Sequence, residues 1–490
     1  MAVVSAASAS RQAASASQAP IAIEHPLEPQ ANAWRQRQTG TEPHCLRTFT
    51  PSLAVIAKSA GSYHWTSDGR KLADFTSGVL VANLGHNPAR WWQRVYDYMG
   101  LGYLGQGPQG AASAALVAEG DCDYVPAVPL TAYNAVTELE VLACERLLAN
   151  MRREPGGARM EQVLWAASGS EAVQKALWAA MKRKPGRDVV LATRRGFHGK
   201  KGLAGAVTGS ESDPERDPRV KFISFPTEEC GDVHRRQQPL DLTPYARELQ
   251  TIASEMGDRL CALITEPYLG GGGSYHPQPQ YLQMLERFCR EHDLVFILDE
   301  IQANFGRTGP MYAYTHYGIE PDVVCLGKGL GNGVPVSAAV GRADVFGALK
   351  YGEGSDTWSA NPLSSAAVLA TLDEFEQRDV IGQGKQLSQV IEDGLLRLLE
   401  TGVIARVRGE GTVWGIECQG VGELTADQVA VECVRTCYLG DREGRAIHLL
   451  GALAGRVIRI SPPLTMPLAE ARLYLETMYN LLSDLKKRLT

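Results

Sequence analysis

No stretch of the sequence approaches the roughly 18–20 consecutive apolar residues that a membrane-spanning helix needs. Runs such as Leu294–Leu298 are only strand-length. There is no surplus of positive charge either. The 49 basic and 55 acidic residues leave a net charge of −6, which disfavours nucleic acid as a partner. The ten cysteines form no C-x-x-C pair, the closest spacing being Cys433 to Cys437. Neither a disulfide framework nor a metal site is expected, and the pattern reads as a reduced, cytoplasmic chain. No internal repeat is visible. What is left is 490 residues, 44% hydrophobic and 21% charged, with enough apolar mass for a large core and two or three domains.

Residues 1 to about 20 are almost all Ala, Ser, Gln and Val, with Arg11 the one basic residue and no acid before Glu24. Such a segment cannot bury enough surface to offset its ordering entropy. A disordered tail over residues 1–35 is expected, in preference to a transit peptide, for which one arginine is weak support. Tyr63–Trp65, a turn at Asp68–Gly69 and Leu72–Phe75 read as a hairpin. The Gly-rich segment 100–120 reads as a long loop, a kind that covers sites or moves. From about Leu142 helical and strand patterns alternate. Strands near 162–166, 188–192, 220–224, 260–264, 294–298, 323–326 and 336–340 are mostly apolar on both faces, which predicts a mostly parallel sheet covered on both sides. Helices near 362–377, 380–400, 425–439 and 467–488, with strands near 412–418 and 457–460, read as a smaller α+β unit.

Three stretches fall where such sheets gather chemistry, at strand carboxyl ends. In Trp165–Ala172 a strand breaks into Ser168-Gly169-Ser170 and a helix. Free amides at a helix start suit an anion such as phosphate, although Ser168 with Glu171 also makes an ordinary capping box. Asp299-Glu300-Ile301-Gln302 follows a fully apolar strand. An acid there is costly unless paired, by a salt bridge, by a helix cap, or by a cationic ligand such as a protonated ring nitrogen. Lys328 follows Val323–Leu326 and lies between Gly327 and Gly329. A desolvated lysine is an imine-forming nucleophile, and a solvent-reaching turn lysine is its commoner counterpart. The stretch is not a phosphate-binding Walker loop, because Asp322 stands at the first glycine position and Gly329 at the Ser/Thr position.

Together the three supply a phosphate cradle, an acid and an amine, the trio pyridoxal 5′-phosphate requires. The sequence resembles the class III (ω-amino acid) aminotransferases of the fold-type-I pyridoxal-phosphate enzymes. The resemblance rests on TSGVLVANLGHNP, WAASGSEAVQKAL, RRGFHGK, ITEPYLGGGG, FILDEIQANFGRTG, PDVVCLGKGLGNGVPVSAAVG, DTWSANPLSSAAVLATL and VIRISPPLT, in the family's order from about residue 60 onward. It implies an α/β fold: a large domain with a mostly parallel seven-stranded sheet (99–345), and a smaller α+β domain from N- and C-terminal segments (36–98 and 346–490).

By the same resemblance, Lys328 carries the cofactor as a Schiff base and shuttles the substrate proton, and Asp299 keeps the pyridine nitrogen protonated. Ser168, Gly169 and Ser170 bind the phosphate. Phe197 and Ile301 flank the ring, though from the residues alone both read better as core. Gln302 bonds the ring hydroxyl. Thr357 reaches the phosphate from the neighbouring subunit, so a homodimer with shared sites is implied. Arg459 clamps a substrate carboxylate, in preference to being an exposed strand-end arginine, and Val79 and Leu80 line the substrate pocket, with core packing an equally good account of that pair. His198 is left out as a structural residue. The implied reaction moves an amino group from an ω-amino acid or amine to pyruvate or 2-oxoglutarate, in ping-pong fashion. Gly271 stands where many members that alternate with glutamate carry an acid, which favours pyruvate. The rivals are a decarboxylase, aminomutase or racemase on the same scaffold, and a non-catalytic binding protein.

Overall fold

The computed structural model describes residues 23–102, 127–132, 135–213 and 217–490. Residues 1–22 and most of the Gly-rich segment 100–120 lie outside them.

A seven-stranded sheet runs in the order Gln162–Ala166, Ser337–Gly341, Val323–Leu326, Val295–Asp299, Leu260–Thr265, Val189–Thr193, Val220–Ile223. Ser337–Gly341 is antiparallel to both neighbours, and all other pairings are parallel. Alternate side chains of these strands enter separate cores. Leu191, Leu263, Phe296, Leu298 and Val324 join one; Val190, Ala262, Ile264, Ile297 and Val323 join the other. Both faces are therefore buried, which is why the strands read as continuous apolar runs instead of alternating.

The register decides what meets at the sheet's edge. Asp299 pairs with Cys325, Leu326 with Ala338, and Ala166 with Ser337. The single antiparallel strand thus places the chain after Ala166, the chain after Leu326 and the end of Val295–Asp299 on one edge.

Two smaller sheets complete the architecture. One orders Ile56–Ala60, Tyr63–Thr66, Lys71–Asp74 and Ala446–His448; the other orders Ile404–Glu410, Val413–Cys418 and Val457–Ile460. Helices Val380–Arg397, Ala426–Leu439 and Leu468–Leu489 share a core with them. The hairpin expected around Asp68–Gly69 is present, with Tyr63 opposite Ala73.

Two expectations change. The tail expected through residue 35 gives way to a helix, Pro29–Thr41. Its Arg35 is buried and paired with buried Glu28 at 2.7 Å, and Tyr438 bonds the same carboxylate. The helix Pro362–Gln377, expected in the smaller unit after residue 346, packs in the large core against Ala89–Tyr98 and Glu138–Arg153. Every residue from Ser364 to Glu374 is buried, so the helix needs partners on all sides. No helix among the described residues is long and apolar enough to cross a membrane.

Candidate active site

A cavity of about 190 Å³ lies at that edge, lined by Ser168, Gly169, Ser170, Phe197, His198, Gly199, Asp299, Ile301, Gln302, Lys328 and Ser337. Eight of the residues singled out from the sequence line it together.

The helix Gly169–Arg183 starts at the cavity. The capping box is real: Ser168 Oγ accepts from the Glu171 amide, and Glu171 Oε2 accepts from the Ser168 amide at 3.1 Å. It uses one helix-start donor and leaves the Gly169 and Ser170 amides at the positive end. Cap and anion site therefore coexist. Space is tight: a Cβ on Gly169 would lie 2.9 Å from Ile301 Cδ1, and one on Gly199 only 2.5 Å from Ser170 Oγ.

Asp299, buried at the end of its strand, accepts from the Ile301 amide through Oδ1 and from His198 Nδ1 through Oδ2, at 3.0 and 2.7 Å. His198, set aside from the sequence as structural, is thus the direct partner of Asp299, and its other ring nitrogen is buried without a partner among the described residues. The G-F-H-G spacing carries no signal of that contact.

Lys328 is held in left-handed backbone, φ +48°, where a non-glycine residue is strained. The flanking glycines are needed: a Cβ on Gly327 would sit 2.7 Å from Ser337 Oγ, and one on Gly329 2.5 Å from Asn83 Nδ2. Burial, reinforced by the Arg459 charge, lowers the Lys328 amine to about 8; Asp299 and Glu266 act the other way.

Glu266 was not singled out from sequence. Fully enclosed, it accepts from the amides of Phe197 and Gly270 at 3.0 and 3.2 Å, and burial pushes its carboxyl up to about 7. It links the Phe197 turn to Gly270–Gly273. There a Cβ on Gly270 would lie 2.5 Å from Gln302 Oε1, and one on Gly271 2.9 Å from Phe197 Cβ.

Four expected residues lie off the cavity wall. Arg459, buried on Val457–Ile460, donates from Nη1 to Gln302 Oε1 at 3.1 Å, and its Nε has no partner among the described residues. Leu80 is in the large core and Val79 is exposed. Both belong to a left-handed turn in which Ser77, Gly78, Val79 and Leu80 all have positive φ. Buried Arg307 braces it, donating to Ser77 Oγ at 3.0 Å and to the Pro462 carbonyl at 2.6 Å. Thr357 is exposed, in a turn built on Asp356, which pairs with Lys175 of the helix Gly169–Arg183 at 2.7 Å.

The arrangement brings a helix start, a carboxylate and an amine of lowered basicity to one small space, with a guanidinium bonded to its Gln302 wall. Comparison with known proteins agrees with that chemistry. The class-III aminotransferase family model matches residues 124–482. The 4-aminobutyrate aminotransferase of Mycobacterium leprae is 31% identical over 423 residues, 84% of this chain and 86% of its own. The acetylornithine aminotransferase of Caldanaerobacter subterraneus is 25% identical, covering 91% and 99%. In fold, the ornithine aminotransferase from Toxoplasma gondii, crystallised with partial occupancy of pyridoxal phosphate, superimposes with a TM-score of 0.73 at 23% identity, over 94% of this chain and 96% of its own. The chain belongs to the class-III aminotransferases and is a pyridoxal-phosphate-dependent enzyme that transfers an amino group between an amino donor and a 2-oxo acid.

Proposed function

We propose that this enzyme takes its amino group from an ω-amino acid or amine and delivers it to a monocarboxylic 2-oxo acid, pyruvate in preference to 2-oxoglutarate, by a ping-pong mechanism. The observation that carries the reading is the convergence of Lys328 and Asp299 on the cavity at the start of the helix Gly169–Arg183.

The residues present fit pyridoxal phosphate. The Gly169 and Gly199 positions leave no room for a Cβ, so backbone approaches closely where a phosphate is to be held. Ser168, Gly169 and Ser170 bind that phosphate. Asp299, oriented by His198 Nδ1, would hold a proton on the pyridine nitrogen; Phe197 and Ile301 would flank the ring, and Gln302 would meet its hydroxyl. When bound, the cofactor supplies an aldehyde for amine chemistry and a ring that accepts electrons. Lys328 Nζ would hold that aldehyde until the incoming donor amine displaces it, and the freed amine would then carry the proton away from the donor's carbon and return it on the other side of the transfer. An amine lowered to about 8 is matched to both tasks near neutral pH.

Arg459 clamps the oxo acid's carboxylate, for which a guanidinium offers two parallel donors. Its hydrogen-bond partner is the neutral Gln302, and Gly271 supplies no side chain to mask it. On the neighbouring turn Val79 is exposed and apolar and Leu80 is packed in the large core, so that turn supplies no cation for a second carboxylate, in keeping with pyruvate. Thr357 reaches the phosphate of a second copy of the chain. Exposed Trp358 and Tyr351 around it offer apolar surface for such a homodimer.

The test is a screen of ω-amino acids and amines against pyruvate and 2-oxoglutarate in parallel, with carbon dioxide release monitored. Keto-acid-dependent amine transfer without decarboxylation, faster with pyruvate, is the expected result. Activity with 2-oxoglutarate alone would overturn the acceptor assignment.

A further inference from the structure

Away from the cavity, where the hairpin sheet meets the left-handed turn, three side chains converge. His64 lies on Tyr63–Thr66, Asp74 ends Lys71–Asp74, and His86 sits in a loop whose backbone bridges to Gly61. One ligand atom from each lies within 4.8 Å of the others. Asp74 Oδ2 is 2.7 Å from His86 Nε2 and 3.5 Å from His64 Nε2.

Hydrogen bonding alone leaves this cluster unfinished. His64 Nε2 is buried, aimed at the carboxylate and without a hydrogen-bond partner among the described residues. Its other ring nitrogen, Nδ1, is 2.7 Å from Ser59 Oγ; with the proton on Nδ1 the Nε2 lone pair points inward. Asp74 Oδ1 accepts from the Thr76 amide and hydroxyl at 2.8 and 2.6 Å, which fixes the carboxylate and leaves Oδ2 facing the two imidazoles. Outer contacts of this kind are what orient metal ligands. A further imidazole is adjacent: His448 is paired with Asp74 in the sheet, its ring stands edge-on 5.2 Å from that of His64, and its Nδ1 is buried without a partner among the described residues.

We infer that His64, Asp74 and His86 form a structural site for a divalent transition-metal ion, zinc by the chemistry of its donors. Two imidazoles and one carboxylate with a fourth position left for water suit zinc's tetrahedral preference. Tetrahedral ligands stand about 3.3 Å apart for bonds near 2 Å, and the His64–Asp74 separation of 3.5 Å is already close to that. On its outer side His86 borders a cleft of about 340 Å³, which Gly78 and Trp92 also line. Bound metal would hold Asp74, and through Thr76 the start of the turn Ser77–Leu80, so the site braces a segment proposed to face substrate. The inference does not depend on which substrate that is.

The test uses the full-length, cofactor-loaded protein, stripped with a chelator and titrated with zinc chloride. About one ion per chain and a higher melting temperature are expected. Cobalt(II) in place of zinc should give the visible bands of four-coordinate metal without thiolate charge transfer. His86→Gln, at the cleft side, should weaken zinc binding more than about ten-fold while the cofactor content stays unchanged. No stoichiometric uptake, undiminished uptake in the variant, or a cobalt spectrum with thiolate bands would each overturn the site. Should the variant not fold, the cobalt spectrum of the unsubstituted protein decides.

Discussion

His198 Nδ1 donates to Asp299 Oδ2 across 2.7 Å, with both side chains buried. One carboxylate oxygen is thereby committed to an imidazole and the other to the Ile301 amide at 3.0 Å, so Asp299 cannot rotate away from the cavity. Asp299→Asn removes the charge but keeps the shape. Turnover should fall by about 10²–10⁴-fold, the range for loss of a group that controls proton placement. His198→Asn, acting through Asp299, should cost less and change the cofactor's absorbance spectrum; an unaltered spectrum with lost activity would point to a purely structural role.

Lys328→Ala should abolish multiple turnovers and leave the circular dichroism spectrum unchanged. Borohydride reduction followed by peptide mapping should label Lys328 in the unsubstituted enzyme and nothing in the variant.

In the cofactor-free chain the amine of Lys328 is lowered to about 8 from an ordinary 10.5. Between those values the unfolded chain holds a proton that the folded chain has released, so stability rises with pH across that window; below about 8 the cost of burying the charge applies in full. Lys328→Met should therefore stabilise the apo chain at pH 7 by about 3 kcal/mol, with the gain disappearing as pH approaches 10.5. Denaturant melts at several pH values measure it.

Arg459→Ala should raise KM for the oxo acid more than it lowers kcat. It also removes a positive charge that lowers Lys328, so the pH profile for cofactor attachment to the apo chain should move upward. Stopped-flow absorbance against pH reports that shift.

Gly199→Ala places a Cβ 2.5 Å from Ser170 Oγ and 2.8 Å from Ala204 Cβ, at φ +148°. Crowding of this kind costs about 1–3 kcal/mol. Melting temperature should drop, and cofactor affinity should drop with it because Ser170 is displaced from the helix start.

Lys328, Asp299 and the Ser168–Ser170 turn were legible in the sequence because each breaks a local rule. A charged group or a glycine run directly after a fully apolar strand needs an explanation that the strand itself does not supply. The sheet was legible for the same reason, since strands buried on both faces cannot alternate. Glu266 and His198 were not, because a lone carboxylate or imidazole in a loop carries no periodic signal. Their significance lies in partners far along the chain, 101 residues away for His198 and 69 for Glu266. The His64, Asp74 and His86 cluster escaped similarly: its members are spread over a hairpin and a loop, and cysteine spacing says nothing of them.

The sequence by itself determined the strands, the chemistry of the groups at their ends and the family, because burial pattern and side-chain reactivity are properties of short segments. Only the tertiary structure decided which groups meet. The antiparallel strand Ser337–Gly341 brings Ala166 and Leu326 to one edge, and the packing of distant loops gives Asp299 its histidine and Arg459 its glutamine. Such contacts follow from register and close packing over the whole chain, and no local stretch encodes them.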